Sequence, residues 1–157
     1  KDSRELLSIL SALATDGTVR EEREGKRIVN DFPRARGRAA FLLGRYGGLD
    51  GMNTLLSALS SERDSEARLA LVRGIAELKS DPDGRAVRML AALVRPGSLG
   101  TMDRSLAGEV LTAIEALSLY QGALSEEGFK ACFALYSSAG DRGIADLARA
   151  VMLRSYR

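Results

Sequence analysis

The stretch from 32 to 79 holds one helical unit and most of its copy. Arg36, Ala39, Leu43 and Tyr46 are followed about 32 residues later by Arg68, Leu71, Ile75 and Leu78. Between them Met52, Leu55, Leu56 and Leu59 repeat at i, i+3, i+4 and i+7, a spacing that puts all four on one stripe of a helix. Two helices per period of roughly 30 to 40 residues point to an α-solenoid, in which each pair buries its stripe by stacking on a neighbour. At about 1.5–3 kcal/mol per buried leucine-sized side chain, four such residues per helix are enough to set the fold.

The same spacing recurs along the chain. Residues 3–14 carry Leu6, Ile9, Leu10 and Leu13, with Ser3 as candidate cap and Asp16-Gly17 as stop. This helix should pack on one that opens at Pro33, runs to about 46 and closes at Gly47-Gly48. Further helices are expected over about 50–59, 65–79, 84–94 and 102–118, from Ser125 onward, and over 142–155. Asp81-Pro82-Asp83-Gly84 and Arg95-Pro96-Gly97 punctuate them, and Thr101 is the expected cap of the helix over 102–118. The expected inward faces are Val87, Leu90, Ala91 and Val94; then Leu106, Val110, Ala113, Ile114 and Leu117. The last two helices should bury Phe129, Cys132, Phe133 and Tyr136, and Ile144, Leu147, Ala148 and Val151. The charged segment over 15–32 reads either as a short hairpin around Glu24-Gly25-Lys26 or as an extension of the first helix.

The reading is therefore an all-α domain over 1–157, an α-solenoid of about four antiparallel helix pairs near 3–46, 49–79, 84–118 and 125–155, with a charged loop or hairpin inserted in the first pair. Because the chain starts at Lys1 rather than Met, a mature form or a fragment of a longer chain is expected. A formal charge of +2 over 157 residues predicts neither a nucleic-acid protein nor a membrane binder. No apolar run is long enough to span a membrane, and a signal-peptide pattern is lacking. A single cysteine favours the cytoplasm, with the periplasm or a secreted or lipid-anchored chain as alternatives.

Chemistry narrows further. One Cys and no His cannot build a zinc site or a common nucleophile–base triad, so no metal, no cofactor and no catalytic residue is expected. Cys132, on an apolar stripe, reads as a small buried hydrophobe. Gly44, Gly47, Gly48 and Gly51 follow a helix rather than a strand, so turn geometry explains them better than phosphate binding.

At Arg36, Ala39, Leu43 and Gly44 the chain resembles the HEAT-like repeats, in particular the short bacterial kind also found in phycobilin-lyase-related proteins. There the second helix of each pair reads roughly Arg-x-x-Ala-x-x-x-Leu-Gly. Arg68, Leu71, Ile75 and Ala76 match loosely, after the acid-rich run ERDSEA, and later units keep only the periodicity. The resemblance implies a right-handed superhelix whose second helices line a concave binding face. It also implies that Arg36 pairs with an acid in an adjacent turn. The His-Glu iron pairs of HEAT-repeat hydroxylases have no counterpart here, since the chain has no His.

The informative surface is the run Arg34, Arg36, Arg38 and Arg45, with no acid between Pro33 and Tyr46. Arg34, Arg38 and Arg45, with Phe41 between them, form a basic and partly apolar strip that Arg73 and Glu77 continue in mixed charge. Solubilising charge is the plain reading of that strip. The functional reading is a partner-binding face made of Arg34, Arg38, Phe41, Arg45, Arg73 and Glu77, in which an exposed aromatic beside arginines suits a protein or peptide. A non-catalytic protein-interaction scaffold is thus the leading expectation. A nucleic-acid-binding HEAT-like domain is the alternative, a chromophore-handling role a third, and the terminal helices offer surfaces for self-association.

Overall fold

The computed structural model describes residues 2–78, 80–94, 103–138 and 140–155. Among them the chain forms eight α-helices and one two-stranded hairpin, and it divides into two compact units, Lys1–Leu78 and Lys79–Arg157. The all-α class follows directly.

The first unit contains α1 (Asp2–Thr15), the hairpin β1 (Arg23–Glu24) and β2 (Arg27–Ile28), α2 (Pro33–Tyr46), α3 (Gly48–Ser61) and α4 (Ser65–Ala76). The helix α1 packs on α2 and α3, and α2 packs on α3 and α4. Proline opens α2 at the position where a missing N–H costs nothing. Gly47 separates the two helices, and Gly48 then takes a φ of +55°, the left-handed conformation that ends α2 and lets α3 start one residue on. On α3 the whole expected stripe is buried, with Met52 and Leu55 fully enclosed. Asp64 caps α4 by accepting the Ala67 N–H at 2.8 Å. Leu71, Ile75 and Leu78 are inward as expected, although the helix stops at Ala76, short of the predicted 79.

The charged segment folds as a hairpin, with Arg23 opposite Ile28 and Glu24 opposite Arg27. Gly25 sits at φ +62° in its turn. Asn30 clamps the loop, its Oδ1 accepting the Glu22 N–H at 2.9 Å and its Nδ2 donating to the Arg20 carbonyl at 2.7 Å. The alternative of a longer first helix is excluded, since α1 ends at Thr15 and Gly17 turns left-handed.

The second unit contains α5 (Arg85–Leu93), α6 (Arg104–Gln121), α7 (Glu126–Ser138) and α8 (Arg142–Ser155). Here α5 packs on α6 and α7, and α8 packs on α6 and α7. The turn over 81–84 forms as expected, with Gly84 at φ +63° donating its N–H to the Asp81 carbonyl at 3.0 Å. The Asp81 side chain does more than the sequence suggested: it is buried and accepts the N–H groups of Ala86 and Val87, both at 3.0 Å. Asp103 caps α6 through the Ser105 N–H. Thr101, Lys79 and the Arg95-Pro96-Gly97 stop lie outside the described residues.

Two inward faces differ from expectation. On α7, Cys132 is fully buried, but Phe129, Phe133 and Tyr136 are 42%, 53% and 45% exposed and the enclosed side is Gly128, Ala131, Cys132 and Leu135. On α1, Leu10 and Ala14 turn inward while Leu6, Ile9 and Leu13 face outward. Both helices carry apolar residues on more than one flank, so periodicity alone fits two rotations. Packing selects the flank with small side chains, which lets the neighbouring backbone approach. Ala91, Leu106 and Leu147, also expected inside, are half-buried.

Candidate functional site: a groove beside α2

The site begins with a seam of small residues. A Cβ built on Gly44 would lie 1.8 Å from the Gly74 carbonyl oxygen, and one on Gly74 would lie 2.5 Å from the Ala40 carbonyl oxygen. One on Gly37 would lie 2.9 Å from the Ala70 Cβ. These contacts bring the α2 and α4 backbones close together, and a hollow of about 750 Å³ lies beside the seam.

The wall of that hollow includes Arg34, Arg38, Phe41 and Arg73, four of the six residues chosen from sequence. Phe41 is 40% exposed, so part of its surface is available to a ligand. Glu66 is the one acid among the lining residues. Arg34 and Arg38 are exposed and have no ion-pair partner among the described residues. Their guanidiniums can therefore offer forked N–H groups to carboxylates.

The other two chosen residues sit elsewhere. Arg45 is a turn farther along α2, its guanidinium 5.7 Å from the centre of the Tyr46 ring. Glu77 is the C-cap of α4 and half-buried, and it does not line the hollow. Sequence reasoning missed Gly37, Leu42 and Ala70, which shape the floor and rim. Gly37 and Ala70 stand at nearly the repeat offset, and that small-on-small pairing was the available signal.

Arg36, the fourth arginine of the run, is a structural residue. It is 1% exposed, binds Glu62 through two bonds, and donates to Asp31 at 2.7 Å and to the Asp16 carbonyl at 3.0 Å. Burial alone would lower its pKa, but the hydrogen bonds to Glu62 and Asp31 outweigh that and raise it. Arg68, one repeat on, only partly copies this arrangement. Its Nη2 donates to the Glu62 carbonyl at 2.6 Å, while its buried Nε has no partner.

Among the described residues no group of three or more His, Cys, Asp or Glu comes together as a metal site, and no helix is long and apolar enough to cross a membrane. Comparison with protein-family models, curated proteins and solved structures finds no match to this chain.

Proposed function

We propose that the chain is a non-catalytic interaction scaffold, a HEAT-like α-solenoid of four helix pairs that takes up a protein segment on the face carried by α2 and α4. The observation that carries this reading is the convergence of Arg34, Arg38, Phe41 and Arg73 on one open hollow. Basic groups around an apolar floor suit an anchored peptide, because the ring supplies buried area and the guanidiniums supply orientation. The repeat reading draws support from like packing on like: α1 on α3 and α2 on α4 in the first unit, α5 on α7 and α6 on α8 in the second.

The test is affinity capture with mass spectrometry, using the wild type and an Arg34→Glu/Arg38→Glu/Arg45→Glu variant whose helix content is checked by circular dichroism. The expected result is a protein retained by the wild type and lost by the folded variant. Identical protein lists from both baits overturn the assignment of the face. Recovery of nucleic acid alone, with steep salt dependence, overturns the protein partner.

A further inference from the structure

A second hollow, of about 360 Å³, lies on the other flank of α2. Leu10 and Leu13 of α1 form one wall, and Ala35, Ala39 and Leu42 of α2 form the other. Arg34, Arg38 and Leu42 line both hollows, so α2 is a ridge with an apolar recess on each side and two arginines along its crest. Helical geometry agrees. At about 100° per residue, Arg34 and Arg38 point away from the buried Arg36, Ala40 and Leu43, with Phe41 leaning to one flank and Ala35 to the other.

Resting on the reading of this face as a peptide site, we infer that its ligand is an acidic segment with two apolar anchors, one seated in each recess, and Asp or Glu residues crossing the ridge over Arg34 and Arg38. The charge argument is local. The crest offers two guanidiniums without an ion-pair partner among the described residues, and Arg73 adds a third positive charge on the α4 wall. Glu66 is the single acid lining either recess. A basic or neutral segment would leave the crest arginines partly desolvated without compensation, whereas carboxylates form charge-assisted bonds there. The spacing argument follows from the ridge itself. A helix about 10 Å across separates the anchors by about three residues of polyproline II chain, at about 3.1 Å each, and with three residues per turn the first and fourth side chains return to the same face. The ligand pattern is therefore apolar, acidic, acidic, apolar.

The experiment selects binders to the full chain from a displayed library of random peptides and measures the consensus peptide by fluorescence anisotropy. The expected consensus has two apolar positions about three residues apart with Asp or Glu between them. Its affinity should fall at least about tenfold in Arg38→Ala, in Phe41→Ser, which strips the larger recess, and in Ala35→Gln, which fills the smaller one with a neutral group. A single-anchor consensus, or a peptide weakened by Phe41→Ser and unaffected by Ala35→Gln, overturns the two-recess ligand while leaving the groove reading intact. A consensus with neutral or basic residues over the ridge overturns the acidic ligand in the same way. Peptides that bind Arg34→Glu/Arg38→Glu as tightly as wild type, or binding of single-stranded RNA with no enriched peptide, overturn the groove reading as well.

Discussion

Arg36 and Glu62 form a two-point ion pair inside the first unit, Nε to Oε2 at 2.7 Å and Nη2 to Oε1 at 3.0 Å, with side chains 2% and 1% exposed. Glu62 Oε1 also accepts the Arg63 and Asp64 N–H groups, both at 3.0 Å. The pair thus ties α2 to the turn between α3 and α4, and the Arg36 bond to the Asp16 carbonyl adds the end of α1. It is the anchor from which the crest of α2 is oriented. Removing one partner leaves a buried charge uncompensated, so Glu62→Ala should cost about 3–5 kcal/mol in urea unfolding. The double change Arg36→Met/Glu62→Leu should lie closer to wild type than Glu62→Ala does. Because the hydrogen bonds to Glu62 and Asp31 outweigh burial and raise the Arg36 pKa above its already high ordinary value, Arg36 stays charged across the neutral range and adds no pH dependence there.

Gly44 and Gly74 are a second fixed point. A methyl group on Gly44 would meet the Gly74 carbonyl oxygen at 1.8 Å, so Gly44→Ala should destabilise by at least about 3 kcal/mol and widen the groove. Gly108, inside α6, is the contrast. A Cβ there would meet only Ile144 Cδ1 at 3.8 Å, so Gly108→Ala should stabilise by about 0.5–1 kcal/mol. Thermal unfolding of both variants checks the pair; a stable Gly44→Ala protein would refute the close seam.

Asp81 organises the start of α5. Its carboxylate takes two N–H groups, and its carbonyl accepts Gln121 Nε2 at 2.6 Å as well as the Gly84 N–H. Asp81→Ala should cost about 2 kcal/mol, read as a lower urea midpoint at constant slope, with earlier hydrogen exchange at Ala86 and Val87.

Cys132 should be chemically silent in the folded chain. Burial first, and the Glu115 carboxylate second, push its thiol up to about 12 from an ordinary 9.0. The unfolded chain releases this proton near pH 9 and the folded chain holds it, so the thiol makes stability fall as pH rises from about 9 towards 12. Cys132→Ala should flatten that part of the stability profile relative to wild type. Native protein should resist alkylation at pH 8 and react once unfolded in urea.

The outward ladder of α7 gives a direct check on the rotation of that helix. Phe129 and Phe133 rings lie 6.4 Å apart and nearly parallel, with Tyr136 another 6.4 Å along, all three exposed. Phe133→Ser should change stability by no more than about 0.5–1 kcal/mol, whereas Leu135→Ala, at a buried position, should cost about 2–5 kcal/mol. The reverse ranking would restore the inward aromatic face.

Legibility divided along physical lines. Helix positions came through where a stripe coincided with a stop: α2 was readable because Pro33 opens it and Gly48 closes it, and α3 because its four large residues have one apolar flank. Four of the six proposed partner residues share one hollow because they lie about one repeat apart on helices whose backbones nearly touch. Arg45 and Glu77 were placed on the same strip by spacing, yet spacing carries no information about where a groove ends.

The sequence by itself determined the all-α class, the approximate helix positions and the basic crest of α2, because these depend on local hydrogen bonding and on a period of about 3.6 residues. Tertiary structure alone decided which flank of α1 and α7 is buried, the partner of Arg36 across 26 residues, and the recesses beside α2. Those depend on how closely two backbones can approach, which small residues such as Gly44, Gly74, Gly128 and Ala131 set, and which periodicity does not encode.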